Sequence, residues 1–202
     1  MMGRPKQYDR DELLDRAVEL FRQHGYNGTS TAELVEELEV NRKSMYAEFG
    51  SKQDLFEAAL EHYNRKHLTR VLGPLEAPDA GLESVLEAFD SYARASQGWA
   101  SGRGCLLCNT AVERAVPGQV TRDFVAAYLR RIERAFRNAL DNARATGELS
   151  ETADRGALAK FLTTTLIGVA ASIRAEATPG QLHATSNVVA SLINTHRAST
   201  VR

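Results

Sequence analysis

The chain is short of most features that would point away from packed helices. Its 202 residues include two cysteines, five prolines and one tryptophan. Two cysteines cannot staple a chain of this length, so a disulfide scaffold is excluded and stability must come from apolar burial. An excess of one charge is also missing: 25 Lys/Arg stand against 26 Asp/Glu, a formal net charge of −1. Global electrostatics therefore favour neither a nucleic-acid nor a membrane partner, and any such partner must be met by a local cluster. The sequence shows no unbroken run of about 18 apolar residues and no charged-then-apolar leader. We therefore expect a soluble, cytoplasmic protein without a membrane partner. Strand alternation, internal repeats, glycine-rich phosphate loops, nucleophile elbows and paired metal-binding histidines are all lacking. We expect no catalysis, no cofactor and no metal.

What the chain does have is helical spacing of apolar residues nearly throughout, and at 43% hydrophobic it can fill one large core or two small ones. In "YDRDELLDRAVELFRQHG", Leu14, Ala17, Val18 and Phe21 form one stripe, Asp9 and Glu12 read as a capping box, and Gly25 as a stop. Further starts follow at Ser30 with Glu33, at Asn41, and at Ser51 with Asp54. Four helix starts within about fifty residues are too dense for a plain bundle. After the break "GPLEAPDAG", longer helices are expected over about 82–97, 104–115, 119–146, 153–176 and 179–196. The expected fold is all-α. A three-helix N-terminal unit (1–52) is joined by a helix at about 51–71 to a larger helical unit (53–202).

Residues 30–38 and 41–48, joined by "EV", fit a helix-turn-helix, in which a second helix enters the major groove while the first braces it. Leu34, Leu38, Val40, Met45 and Phe49 would face inward. Asn41, Arg42, Lys43, Ser44 and Tyr46 would face outward, and all are residue types that reach base edges or phosphates. Thr29, Ser30 and Thr31 at one helix start, and Lys52 at another, would clamp phosphates. Spacing alone leaves Arg42-Lys43 equally well read as a solvated helix face. Residues 1–52 carry eight Lys/Arg against ten Asp/Glu, so the unit is not basic overall. Its cations instead cluster at Arg4 and Lys6, at Arg42 and Lys43, and at Lys52.

The stretch "LFRQHGYNGTSTAELVEELEVNRKSMYAEFGSKQDLF" resembles the N-terminal signature of the tetracycline-repressor (TetR) family of transcriptional regulators. The likeness covers about residues 9–56. It rests on the spacing of Leu20-Phe21, Gly25-Tyr26, Thr29-Ser30, Leu34, Val40, Tyr46, Phe49, Lys52 and Leu55-Phe56. Two positions depart from the family pattern. Glu39 stands in the turn where glycine is usual, and Lys43 stands where a small residue is usual. The resemblance implies a homodimer on a near-palindromic double-stranded operator, acting as a repressor and released by a small-molecule effector. It carries the DNA-reading role to Asn41, Arg42, Lys43, Ser44 and Tyr46, and the anchoring role to Thr29, Ser30, Thr31 and Lys52.

The second informative stretch is "SGRGCLLCNTAVERA". Cys105 and Cys108 fall on one helical face, with Arg103 adjacent, and three readings stay open: buried packing, a reactive thiol sensor at Cys105, or part of a metal site. Candidate effector contacts are Tyr63, Trp99, Cys105, Asn109, Glu113, Phe124, Tyr128 and Phe161, apolar or aromatic positions with a few polar groups among them. The last two helices read as a dimer surface through Leu158, Leu162, Leu166, Val169, Ile173, Val188, Val189 and Leu192. A different class, a helical adaptor whose basic helix binds a protein, fits the same residues without the family likeness.

Overall fold

The computed structural model describes residues 8–98, 100–113 and 118–198, so Arg4, Lys6 and Trp99 lie outside the described residues. Helices α1 (Arg10–Gly28), α2 (Thr31–Glu37) and α3 (Arg42–Phe49) come first, then α4 (Lys52–Tyr63). A π-helical turn over Asn64–Leu68 feeds α4 into α5 (Thr69–Glu76). The larger part holds α6 (Leu82–Ala95), α7 (Leu106–Val112), α8 (Gln119–Ala145), α9 (Arg155–Arg174) and α10 (Pro179–Thr195). Among the described residues the sole extended pairing is an isolated bridge between Leu149 and Arg197. The expected all-α class holds.

The expected caps form, with one difference. Ser30 accepts the Glu33 amide while the Glu33 carboxylate accepts the Ser30 amide, a complete capping box. Asn41 and Ser51 accept the amides of Ser44 and Asp54. Asp9 caps α1 through the Asp11 amide, not through a box with Glu12. Gly25, with φ +74°, breaks α1 where the stop was expected, and a short helical turn then runs on to Gly28.

The break expected at Gly73 comes later. The helix passes Pro74 and ends at Glu76, because Leu72 and Leu75 are buried and α5 packs along α8. Arg131 of α8 secures this contact with a two-pronged pair to Glu76 at 2.7 and 2.8 Å. Helix α9 is long and apolar enough, by length and composition alone, to span a membrane. Its Leu158, Leu162, Leu166 and Ile173 are nonetheless buried within the chain, and it lies against α8, as a core helix does.

One apolar core runs from Leu13 to Ile193 without a gap between the two units. Its N-terminal part centres on Phe56 of α4, which meets Phe21 edge-on at 4.8 Å and Tyr26 at 5.0 Å between ring centroids. This aromatic cluster joins α1 to α4. Phe56→Ala should cost about 3–5 kcal/mol of stability, as for other buried Phe truncations. Urea unfolding measures it, and a loss well below that range would show that the junction collapses around the gap.

Candidate nucleic-acid interface and its junction with the C-terminal helices

Helix α3 is held from behind and open in front. Met45 and Phe49 are buried, while Asn41, Arg42 and Lys43 are exposed and Ser44 and Tyr46 half-buried. Leu34 and Leu38 of α2 are buried on the same core, and Val40 packs against it. Glu48, the acid at the end of α3, is drawn back onto α1 by Arg10 at 3.4 Å. Glu33, Glu36, Glu37 and Glu39 gather with Arg16 around a cavity of about 360 Å³ on the α1–α2 flank. The acids that balance the unit's charge thus sit apart from the Arg42-Lys43 edge.

The turn at Glu39 has the left-handed conformation that glycine would adopt freely, with φ +53°. Arg16 holds it, bonding the Glu39 carboxylate at 2.7 Å and the Glu37 carbonyl at 3.3 Å. That pair also lowers the Glu39 carboxyl below its ordinary value.

Several expected contact residues already have partners. Thr29 is buried and its hydroxyl donates to the Gly25 carbonyl at 2.6 Å, so that hydroxyl is committed to the turn, unlike the phosphate anchor expected. The Ser30 hydroxyl and the Asn41 carbonyl oxygen are used as caps. The Tyr46 hydroxyl lies 3.4 Å from that of Thr31, and Arg42 stacks over the Tyr46 ring at 5.8 Å. Hydrogen bonds from Thr31 and then Arg42 pull the Tyr46 phenol below its ordinary value. Lys52 lies 4.2 Å from the Tyr26 ring centroid. Burial lowers its pKa, against the pull of Glu113 and Glu33. Arg42, Lys43 and Ser44 remain as the outward edge.

The expected effector contacts separate into distinct places. Tyr63, Cys105 and Tyr128 meet in the core, where both Cys105 and Cys108 lie 3.6 Å from the Tyr128 hydroxyl. Tyr92, which the sequence reading missed, joins them. Asn109 is buried and ties backbone, donating to the Arg103 carbonyl at 2.8 Å and the Arg22 carbonyl at 3.4 Å. Glu113 belongs to the junction: it accepts from the amides of Tyr26 and Asn27 at 3.1 and 2.8 Å. Phe124 lines a cavity of about 490 Å³ between α4 and α8, with Leu60, Val120, Glu57 and Glu61. Phe161 is 43% exposed on the outer face of α9, far from the role assigned to it.

The dimer set also needs correction. Leu158, Leu162, Leu166, Val169, Ile173 and Val189 are buried in the chain's own core. The outward apolar positions are Val188, 64% exposed, and Phe161, with Leu192 half-buried between core and surface. The α9 stripe was assigned to the wrong side because α8 and α10 cover it from within the chain.

The junction's main element is one the sequence reading passed over. Arg22 lies four residues beyond Val18 on the apolar stripe of α1 and is 1% exposed. Its Nη2 and Nε donate to the Gly104 carbonyl at 2.7 and 3.2 Å, and its Nη1 meets Glu19 at 2.8 Å. A cation on an apolar stripe was the signal that could have revealed it.

Both thiols are free and buried, which favours packing. Arg103 does not activate Cys105: it pairs with Glu19 at 2.6 Å. A hydrogen bond from Cys108 instead draws the Cys105 thiol down to about 6 against burial, helped by the Tyr128 and Tyr63 hydroxyls. Cys108 moves up, through its bond to Cys105 and through burial. Among the described residues no cluster of three or more His, Cys, Asp or Glu could hold a metal ion. With its folded pKa below the ordinary thiol value, Cys105 contributes stability that is lost as pH falls through about 6. Thiolate ultraviolet absorbance of the folded protein should step at about pH 6 and lose that step in Cys105→Ser. A step only at the ordinary thiol value would refute this ionisation.

Comparison with known proteins bears on most of the chain. Residues 13–59 match the bacterial regulatory proteins of the tetR family, and residues 81–189 the tetracyclin repressor-like C-terminal domain. The HTH-type transcriptional regulator YezE of Bacillus subtilis is 33% identical over 162 residues, covering 80% of this chain and 84% of that protein. The HTH-type transcriptional repressor ComR of Escherichia coli is 32% identical over 174 residues, covering 85% and 82%. Among solved structures, the TetR family regulator CifR, a cysteine mutant complexed with 26-bp operator DNA, superposes with a TM-score of 0.84 at 31% identity. That match covers 93% of this chain and 97% of CifR. The chain belongs to the TetR family of transcriptional regulators.

Proposed function

We propose that the chain is a ligand-responsive transcriptional repressor that binds a palindromic operator as a homodimer and is released by a small-molecule effector. Residues 1–52 read DNA, α4 connects, and residues 53–202 bind the effector and dimerise; the protein acts in the cytoplasm. The observation that carries this reading is the exposed Arg42–Lys43 edge of α3, with half-buried Ser44 beside it, fixed from behind by Met45 and Phe49. ComR is named a repressor, and CifR was solved on duplex operator DNA, which supports both the target and the sign of regulation.

The effector's proposed place is the cavity between α4 and α8, whose size suits a small molecule. It pairs apolar surface at Leu60, Val120 and Phe124 with the carboxylates of Glu57 and Glu61. Glu57 already bridges the two helices, accepting the Thr121 hydroxyl at 3.1 Å. A ligand that competes for Glu57 would shift α4 against α8, and α4 follows the recognition helix after only Gly50 and Ser51. Such a ligand acts by preferring the shifted state. The dimer's proposed surface is the outward face of α9 and α10, carrying Phe161 and Val188, packed as four helices across the two-fold axis.

Replacing Arg42 or Lys43 with Ala should weaken operator binding by about 1–3 kcal/mol and relax sequence preference, as expected for a lost bidentate base contact. Lys52→Ala should weaken all sequences alike and lower the salt slope by about 1. Fluorescence anisotropy at several salt concentrations separates the two, and unchanged affinity in both edge variants would remove α3 from direct readout. Binding without salt dependence would favour the protein-binding adaptor. Val188→Asp, at an exposed position, should turn a dimer into a monomer by light scattering while helicity is kept; an unchanged mass would move the interface elsewhere.

A further inference from the structure

Glu113 closes α7 at the point where the C-terminal helices meet the broken end of α1. Its two carboxylate oxygens receive the Tyr26 amide at 3.1 Å, the Asn27 amide at 2.8 Å and the Asn27 side-chain amide at 3.0 Å. The absent side chain of Gly25 eases this approach, since a Cβ there would stand a tight 3.1 Å from both oxygens. The same short turn touches both remaining supports of the helix-turn-helix. Thr29, just before α2, bonds back to Gly25 and to Tyr26. Lys52, the first residue of α4, lies on the Tyr26 ring.

The body of α7 is anchored in the C-terminal core: Leu106, Leu107 and Cys108 are buried and the helix packs against α8 and α9, while its start is tied to α1. Arg22 holds the Gly104 carbonyl, and the Asn109 side chain bonds the Arg103 carbonyl at 2.8 Å. Glu113 is therefore borne on a segment fixed to the core and grips the turn from which α2 starts. Arg22 is wholly buried, so its loss would damage the core. Glu113 is only partly buried, so its replacement should disturb the core less.

We propose that Glu113 is a positioning residue for operator binding: its grip on the Tyr26–Asn27 turn fixes the tilt of the helix-turn-helix on the C-terminal helices. In the dimer that tilt sets the distance between the two recognition helices. The inference rests on the reading of the chain as a dimer on an inverted repeat. Two recognition helices must meet major grooves about 34–36 Å apart, and one added base pair rotates a half-site by about 35°. A carboxylate receiving three N–H donors is a stiff fixture. Without it, the reading unit can tilt to follow altered spacing but must be ordered on binding.

The test uses the full chain and an inverted-repeat duplex selected by the wild-type protein from a randomised pool. Companion duplexes have the central spacer one base pair longer or shorter. Wild type should bind the selected spacing and discriminate sharply against both companions. Glu113→Ala should lose about tenfold in affinity at the selected spacing, the worth of a charge-assisted hydrogen bond, and bind all three duplexes nearly equally. Asn27→Ala, which removes one of the three donors, should do this in part and add nothing in the Glu113→Ala background. A merely structural role would weaken all three duplexes by the same factor, or lower the melting temperature with the spacing profile intact; either result overturns the proposal. If wild type selects no inverted repeat, the dimeric-operator reading fails and this role with it. If it selects one and Glu113→Ala keeps the wild-type profile, only the positioning role fails.

Discussion

The constraint on which the architecture depends is a guanidinium buried to 1% exposure in the first helix. A cation removed from water is tolerable only when its donors are met, and leaving one unmet costs more than an ordinary hydrogen bond. Arg22 meets this with Glu19, with the Gly104 carbonyl and with the Tyr63 ring at 5.8 Å. The demand fixes the loop before α7. Gly104 must turn its carbonyl toward α1 with φ +63°, and a Cβ there would come within 2.8 Å of the Ala170 carbonyl oxygen of α9. Arg174 of α9 completes the joint by bonding the Arg22 carbonyl. Three segments distant in sequence thus converge on one residue, and the position of α7 follows from it.

The neighbouring cluster of Tyr63, Tyr92, Tyr128, Cys105 and Cys108 shows how the core around that cation is wired. Burial pushes all three phenols well above their ordinary range. The neutral hydroxyls of Tyr63 and Tyr128 then serve as donors to Cys105, while Tyr92 bonds Tyr128. This makes Cys105 the most acidic thiol of the pair while keeping it sealed from solvent, a combination that shapes packing more directly than reactivity. The cluster fills the space where sequence reasoning had placed an effector. A cavity of about 490 Å³ lies at the α4–α8 contact, beside the helix that carries the reading unit.

Much of this was legible in the chain. Helix boundaries in the C-terminal part fall within a few residues of those expected from periodicity, because each long helix presents one continuous apolar face bounded by Gly, Pro or a capping residue. Ser30, Asn41 and Ser51 cap as their local sequence predicts, since a cap is decided by neighbours two or three residues away. The inward and outward faces of α3 were legible for the same reason. The helix past Gly73-Pro74 was misjudged because burial of Leu72 and Leu75 outweighs one missing amide donor.

What the sequence by itself determined is therefore local: the all-α class, the helix-turn-helix and its exposed Arg42–Lys43 edge. The tertiary structure alone decided which groups meet across the chain. Leu158, Leu162 and Leu166 looked like a surface for a partner until α8 covered them, since an apolar stripe does not name what it packs against. Glu113 looked like a cavity residue until the fold placed Tyr26 and Asn27 beneath it, 86 or more positions away in sequence. A carboxylate's partners are set by three-dimensional distance, and no spacing rule along one strand of sequence carries that information.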